Sequence, residues 1–171
     1  MRATLLLVPA LLAVGCGSRQ FAATQPATAP FRTFGRVVVE EFSVDGAERL
    51  PLDQKGRALN VAHEIGAFLR ERIADRGLFP GEGRTLVIRG TLVGFDEGSQ
   101  ALRYFVGFGA GKGEIIADVS FADEDGKTVA RGNSRGTVSG GWFGGSTRSA
   151  SRRVAKAVVD FIEDHYEAAG P

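Results

Sequence analysis

Cys16 is the only cysteine in this chain of 171 residues. One cysteine forms no internal disulfide and no cysteine-rich zinc site, so any folded domain must be held by an apolar core alone. The material for such a core is present. Apolar residues make up 43% of the chain and charged residues 24%, a globular balance rather than a disordered one. The length suits one domain plus whatever the ends carry. The 24 glycines are about twice the usual share, but no Gly-X-Y period accompanies them, so a collagen helix is excluded. Lys plus Arg number 21 and Asp plus Glu 20, a net charge of +1. A nucleic-acid binder needs an excess of phosphate-neutralising cations, so no nucleic-acid partner is expected.

The position of Cys16 is informative in itself. Met1-Arg2 supplies one positive charge, and Ala3 to Val14 then runs without any. That run is well short of the roughly 20 residues that span a bilayer as a helix, and it reads as a signal peptide over residues 1–15. It ends Leu12-Ala13-Val14-Gly15-Cys16, which resembles the bacterial lipobox, although Ala13 holds the usual leucine position and Leu12 stands one place early. The resemblance implies cleavage before Cys16 and a covalent diacylglycerol and acyl (palmitate-type) lipid on its sulfur and new N-terminus. No other cofactor is expected. Several acyl chains on one residue give stable anchoring, at about 0.8 kcal/mol for each buried methylene. Gly17 after the cysteine, rather than Asp, points to the outer membrane, with the protein facing the periplasm.

Residues 16–30 are expected to be the lipidated cysteine and a flexible tether, because GSRQFAATQPATAP has no periodicity. Fully extended, it would reach roughly 50 Å. Residues 31–168 are expected to form a single periplasmic α+β domain. Arg36 to Val44 is β-branched and apolar, a strand ended by Asp45-Gly46. Leu59, Ala62, Ile65, Leu69 and Ile73 recur at helical spacing, with Asp53 as candidate N-cap and Gly77 and Pro80 as the stop. Arg84 to Phe95 and the glycine-interrupted Tyr104 to Phe121 read as strands, separated by a turn at Asp96 to Ser99. Asp123-Glu124-Asp125-Gly126 is a hairpin turn leading to a strand over Lys127 to Val138. A second helix runs from about Thr147 to Tyr166, with Ala150, Val154, Val158, Phe161 and Ile162 on one face. The expected fold is β-α-β-β-β-α: a two-layer sandwich with a mostly antiparallel four-stranded sheet and two helices on one face.

Two segments stand out, RYFVGFGAGKGEI (Arg103 to Ile115) and SGGWFGGS (Ser139 to Ser146). With LVIRGTLVGFDEG and the lipobox, they resemble a bacterial lipoprotein family known as domain of unknown function 4410. The resemblance covers nearly all of the domain and implies a fold and a cellular address, but no activity. The element order is also similar to periplasmic domains of the curli-secretion lipoprotein and the Tol-system propeller protein, an analogy of fold alone.

The first glycine segment is not a nucleotide loop. With Gly111-Lys112 in register, the required first glycine is Val106 and the required Ser/Thr is Gly113, and the segment leads into a strand rather than a helix. No nucleotide is expected. Its aromatic residues Tyr104, Phe105 and Phe108, with Trp142 and Phe143 of the second segment, are the candidate interaction surface, since large aromatic side chains dominate small interfaces. The second helix carries Arg148, Arg152, Arg153 and Lys156 near its start and Asp160, Glu163, Asp164 and Glu167 near its end. This order opposes the helix dipole. Ser146, Thr147, Arg148 and Arg152 are therefore a candidate anion contact, for a lipid headgroup or a partner carboxylate.

Hydrolase chemistry finds little support. His63-Glu64 begins like a zincin helix, but Ala67 stands where the second histidine must be. There is no G-x-S-x-G elbow, His165 is expected to be exposed near the chain end, and the acidic run at 123–125 lacks a calcium loop's closing Glu. No metal and no enzymatic activity are expected. The expected role is a non-enzymatic, lipid-anchored envelope protein acting as an interaction module, its partners being the membrane through its lipid and an unidentified envelope protein or further copies of itself. The alternatives are an oligomeric membrane-associated or secretion-accessory assembly and an anionic-headgroup binder.

Overall fold

A computed structural model describes residues 21–96, 113–138 and 147–167. Its elements in chain order are β1 (Phe21–Gln25), a 3-10 turn (Phe31–Thr33), β2 (Phe34–Val39), β3 (Ser43–Val44), a second 3-10 turn (Ala47–Arg49), α1 (Leu52–Asp75), β4 (Arg84–Asp96), β5 (Gly113–Asp123), β6 (Thr128–Val138) and α2 (Thr147–Asp164).

Among the described residues the sheet has six strands in the order β1-β6-β5-β4-β2, with β3 also beside β4. It is mixed, which corrects the expected four-stranded, mostly antiparallel sheet. β4, β5, β6 and β1 pair antiparallel, but β2 and β3 lie parallel to β4. The reason is the crossover: 24 residues of helix carry the chain back before β4 begins, so β4 sets out in the direction of β2. The single strand expected over 36–44 is two. Between them Phe42 turns inward and its ring fills the space beside Gly90, where a Cβ would sit 1.9 Å from it.

The second correction concerns the tether. Phe21–Gln25 is a strand, paired with β6 from Ser134 to Arg131. Phe21 is buried, its ring 4.4 Å from that of Phe161. Farther on, Thr28 binds the Val129 carbonyl through both its amide and its hydroxyl, and Phe31 is fully buried. Only residues 17–20 separate Cys16 from the sheet. The composition of this segment does call for disorder, but an available strand edge and an aromatic pocket override it.

α1 begins at Leu52 with Pro51 in the cap position, not at Asp53. Proline's fixed φ suits a helix start, and Asp53 in the first turn instead pairs with Arg57 at 3.1 Å. The predicted stop is correct in detail. Gly77 is left-handed (φ 61°), its N–H meets the Ala74 carbonyl, and Leu78 N–H reaches Ile73, the Schellman arrangement that satisfies the last carbonyls.

α1 and α2 run parallel, side by side. Ser151 meets Glu64 and Glu163 meets Arg76, a constant offset of 87 residues. All five residues of the predicted α2 stripe are buried, as are four of the five in α1. The exception is Leu59, 44% exposed. By the offset, Thr147 at the start of α2 stands level with residue 60, so among the described residues the first two turns of α1 have no helix beside them. That overhang is roughly 12 Å long at 1.5 Å per residue.

Close approach of α2 to the sheet depends on β6. Its inward positions are Ala130, Gly132, Ser134 and Gly136, all small and buried. A Cβ on Gly136 would lie 2.4 Å from the Ala150 carbonyl oxygen, and Ser134 donates its hydroxyl to the Val154 carbonyl at 3.1 Å. The opposite sheet face is polar. Arg89 forms a paired 2.8 Å contact with Glu40, whose hydrogen bonds and charge raise the guanidinium pKa further above its ordinary value.

Candidate functional site

Strand directions give the molecule two poles. β2, β3, β4 and β6 all run one way, so their C-terminal ends lie together, and both helices start there and run back. At this first pole β4 ends at Asp96 and β5 begins at Gly113, while β6 ends at Val138 and α2 begins at Thr147. Both glycine and aromatic segments are therefore bracketed by elements that meet at the same pole. β1 runs away from it, antiparallel to β6, so the N-terminal end of β1 faces this pole. Tyr104, Phe105, Phe108, Trp142, Phe143 and Ser146, together with Cys16, lie outside the described residues.

Charges of both signs lie at each pole, Asp45, Glu48 and Asp53 at the first and Arg76, Arg84 and Lys127 at the second, but the charge of α2 divides between a basic pole and an acidic one. Arg148, Arg152 and Arg153 occupy the first two turns of α2 at the first pole. Asp123, Glu124 and Asp125 in the β5–β6 turn, with Glu163, Asp164 and Glu167, mark the second. The helix order that opposes the macrodipole is matched by the acidic β5–β6 turn at the second pole. Arg153 donates to the Thr137 carbonyl. Thr147 is the first helical residue, and its carbonyl accepts from the buried Ser151 hydroxyl.

Arg148 and Arg152 have a structural occupation that the sequence does not reveal. Their guanidinium carbons lie 5.4 and 4.9 Å from the centre of the Phe68 ring on α1, a cation–π arrangement. Both remain exposed, and neither pairs with a carboxylate among the described residues. Arg152 also lines an open cleft of about 280 Å³ between the helices, with Phe68, Glu71, Arg72, Asp75 and Arg76. Two carboxylates share that cleft, so it is not a purely cationic pocket.

Two exposed apolar residues lie at the same pole. Leu52 is 88% exposed at the tip of the α1 overhang, with Leu59 two turns on. Leu59 belongs to the stripe expected from the sequence, and Leu52 stands seven residues before it at the same helical spacing. Only the later start of α2 uncovers them.

The remaining candidates have plain structural partners. His63 is exposed and 3.4 Å from Glu41. His165, expected to be exposed, is half-buried, its Nδ1 2.9 Å from the Phe161 carbonyl and its ring against that of Phe161. Asp123 is buried, but Asp125 N–H, Lys127 N–H and Arg84 all donate to it. Among the described residues there is no group of three or more His, Cys, Asp or Glu able to hold a metal ion. No described helix is long and apolar enough to cross a membrane.

Fold and site together define a two-layer α+β domain with a mixed sheet, with the α2 arginines at one pole and the acidic β5–β6 turn at the other. The chain belongs to the family described as Domain of unknown function (DUF4410), which matches residues 37–141. Among curated proteins, none matches it. Two similar solved structures are PelC dodecamers from Paraburkholderia phytofirmans, one of them carrying a leucine-to-methionine change. Each is 16% identical, with TM-scores of 0.46 (the variant) and 0.44; they cover 82% of this chain and, respectively, 96% and 95% of theirs. The dodecameric assembly is a property of those proteins.

Proposed function

We propose that this chain is a non-enzymatic lipoprotein of the cell envelope, exported by residues 1–15, acylated at Cys16 and facing the periplasm from the outer membrane. Its task is to hold another envelope protein, and its working surface is the basic pole. One observation carries this reading. Both glycine and aromatic segments start and finish at the pole toward which β1 leads back to Cys16. A surface built to meet a partner at the membrane needs its contact residues and its anchor on the same side. The test is in-cell photo-crosslinking from position 142, with position 71 on the exposed side of α1 as control. A discrete protein adduct from 142 alone is expected; no adduct from either position removes the reading.

Self-association is a second reading, and the sheet edges favour it. β1 and β2 end the sheet, and neither has a further strand beside it among the described residues. Val38 on β2 is 49% exposed. Joining one kind of edge to the other in successive copies is a heterologous contact, which closes into rings when the rotation allows. One feature limits it: Arg70 donates twice to the Val39 carbonyl, which points away from β4 because Glu40 N–H points toward it. A strictly monomeric mass for the detergent-solubilised, acylated protein rules this reading out.

A further inference from the structure

We infer that the β2 edge is a self-complementary docking strand for the β2 of a second copy, and that Arg70 is the latch that closes it. This rests on the reading that sheet edges carry self-association, and goes beyond it by naming the edge, the register and the group that regulates it. β2 reads FGRVVV, with Val38 49% exposed. An edge of this kind is a ready template for another strand. Glu40 N–H reaches the Ile88 carbonyl of β4, and backbone groups alternate along a strand, so those of Val37 and Val39 point away from β4. A second β2 laid antiparallel about Val38 sets Val37 against Val39 of the other copy, and Val38 against Val38. The same register sets Arg36 against Glu40 in both directions, opposite charges on one face. Arg36 is exposed and forms no ion pair among the described residues. β1 is the poorer partner, only five residues long and followed by Pro26.

In that register each hydrogen-bonded pair exchanges two bonds, and one of them goes to a Val39 carbonyl. Arg70 holds that carbonyl. Two residues past Phe68, which faces α2, a rotation of roughly 200° puts Arg70 on the other side of α1, toward β2. Its Nε and a terminal nitrogen donate to the Val39 oxygen at 3.3 and 3.1 Å. A carbonyl has two lone pairs, so both are used, and no N–H of an added strand finds an acceptor there. An incoming strand would also bury the guanidinium without a carboxylate. The neighbouring acids are engaged elsewhere, Glu40 by Arg89 and Glu41 by His63, and Arg70 forms no ion pair among the described residues. Gly66, one turn earlier, leaves the guanidinium room: its terminal nitrogens lie 3.8 Å from where a Cβ would stand. At the start of β2 the Gly35 carbonyl is taken by Gly81 N–H at 2.6 Å. Only Val37 N–H, Val37 C=O and Val39 N–H stay open, too short a run for a strand. Release of Arg70 restores the missing acceptor in both copies at once.

The test compares the full-length, detergent-solubilised chain with its Arg70→Ala variant by sedimentation velocity and backbone amide exchange. Arg70→Ala should dimerise at concentrations at least roughly tenfold lower than the wild type, the weight of a hydrogen bond to a charged group. The Val37 and Val39 amides should exchange fast in the monomer and slowly in that dimer. Adding Val38→Lys to Arg70→Ala should return it to the monomer, because two lysines then stand directly opposite across the two-fold axis. An Arg70→Ala variant that associates no more tightly than the wild type overturns the inference. So does association that Val38→Lys leaves intact, since it then arises elsewhere or from misfolding. A wild type already associated, with the Val37 and Val39 amides protected, overturns the latch while bearing out self-association through the edge. A monomeric wild type with a dimeric Arg70→Ala variant removes self-association of the native chain and upholds the latch.

Discussion

The two poles of this domain are built on opposite plans. At the acidic pole, polar and aromatic groups satisfy one another. Phe31, Phe121 and Phe161 pack ring on ring at 5.2 to 5.9 Å, with Phe21 completing the cluster and His165 closing it. Asp123 is saturated by three donors, Arg84 lies over the Phe34 ring, and Phe79 packs against Tyr166. At the basic pole, leucines stand exposed, arginines lie over a ring without a paired carboxylate among the described residues, and a helix projects past its neighbour. A fold marginally stable by a few kcal/mol cannot leave both ends open. The acidic pole supplies stability, so the basic pole is free to carry groups whose partners lie outside the domain.

The sharpest test of that division is Phe121→Ala. It should cost about 3–5 kcal/mol in urea unfolding, because a fully buried ring leaves a cavity among three others. A loss below about 1 kcal/mol would mean the acidic pole is not the stabilising one. Next in size, Gly136→Leu should destabilise by about 1–3 kcal/mol, since its Cβ meets the α2 backbone and the helix must lift from the sheet. Asp123→Ala should cost about 1–3 kcal/mol, leaving the Lys127 and Asp125 amides without their acceptor. Smallest is Leu52→Gln, expected to change stability by no more than about 0.5 kcal/mol in urea unfolding. A large thermal shift from Leu52→Gln would show that the tip is covered within the protein, and the contrast between the poles would fail.

Several parts of the fold were legible because they depend on local chemistry. The Gly77 stop needs only a residue that tolerates φ near +60°, with proline beyond it. The Asp-Gly turn at 125–126 has the same local logic, and Gly126 is indeed left-handed at φ 81°. The buried stripe of α2 needs only a 3.6-residue period, and α2 lies against the sheet along its whole length. The candidate site was legible as chemistry but not as arrangement: the arginine order at 148–153 was visible, its position over Phe68 was not.

Amino-acid order by itself determined where helices and turns fall, which faces are apolar, that no disulfide holds the domain, and that Cys16 sits where a lipobox cysteine would. These follow from contacts a few residues apart, which periodicity and turn residues report directly. Only the tertiary structure decided that Phe21–Gln25 is a strand, that β2 and β3 run parallel to β4, and that Leu59 is exposed while Ile65 is buried. Each of these depends on a partner distant in sequence: the free edge of β6, the crossover length of α1, and the later start of α2. The pole shared by the N-terminal end of β1 and both glycine segments belongs with them, because strand direction exists only once strands have paired.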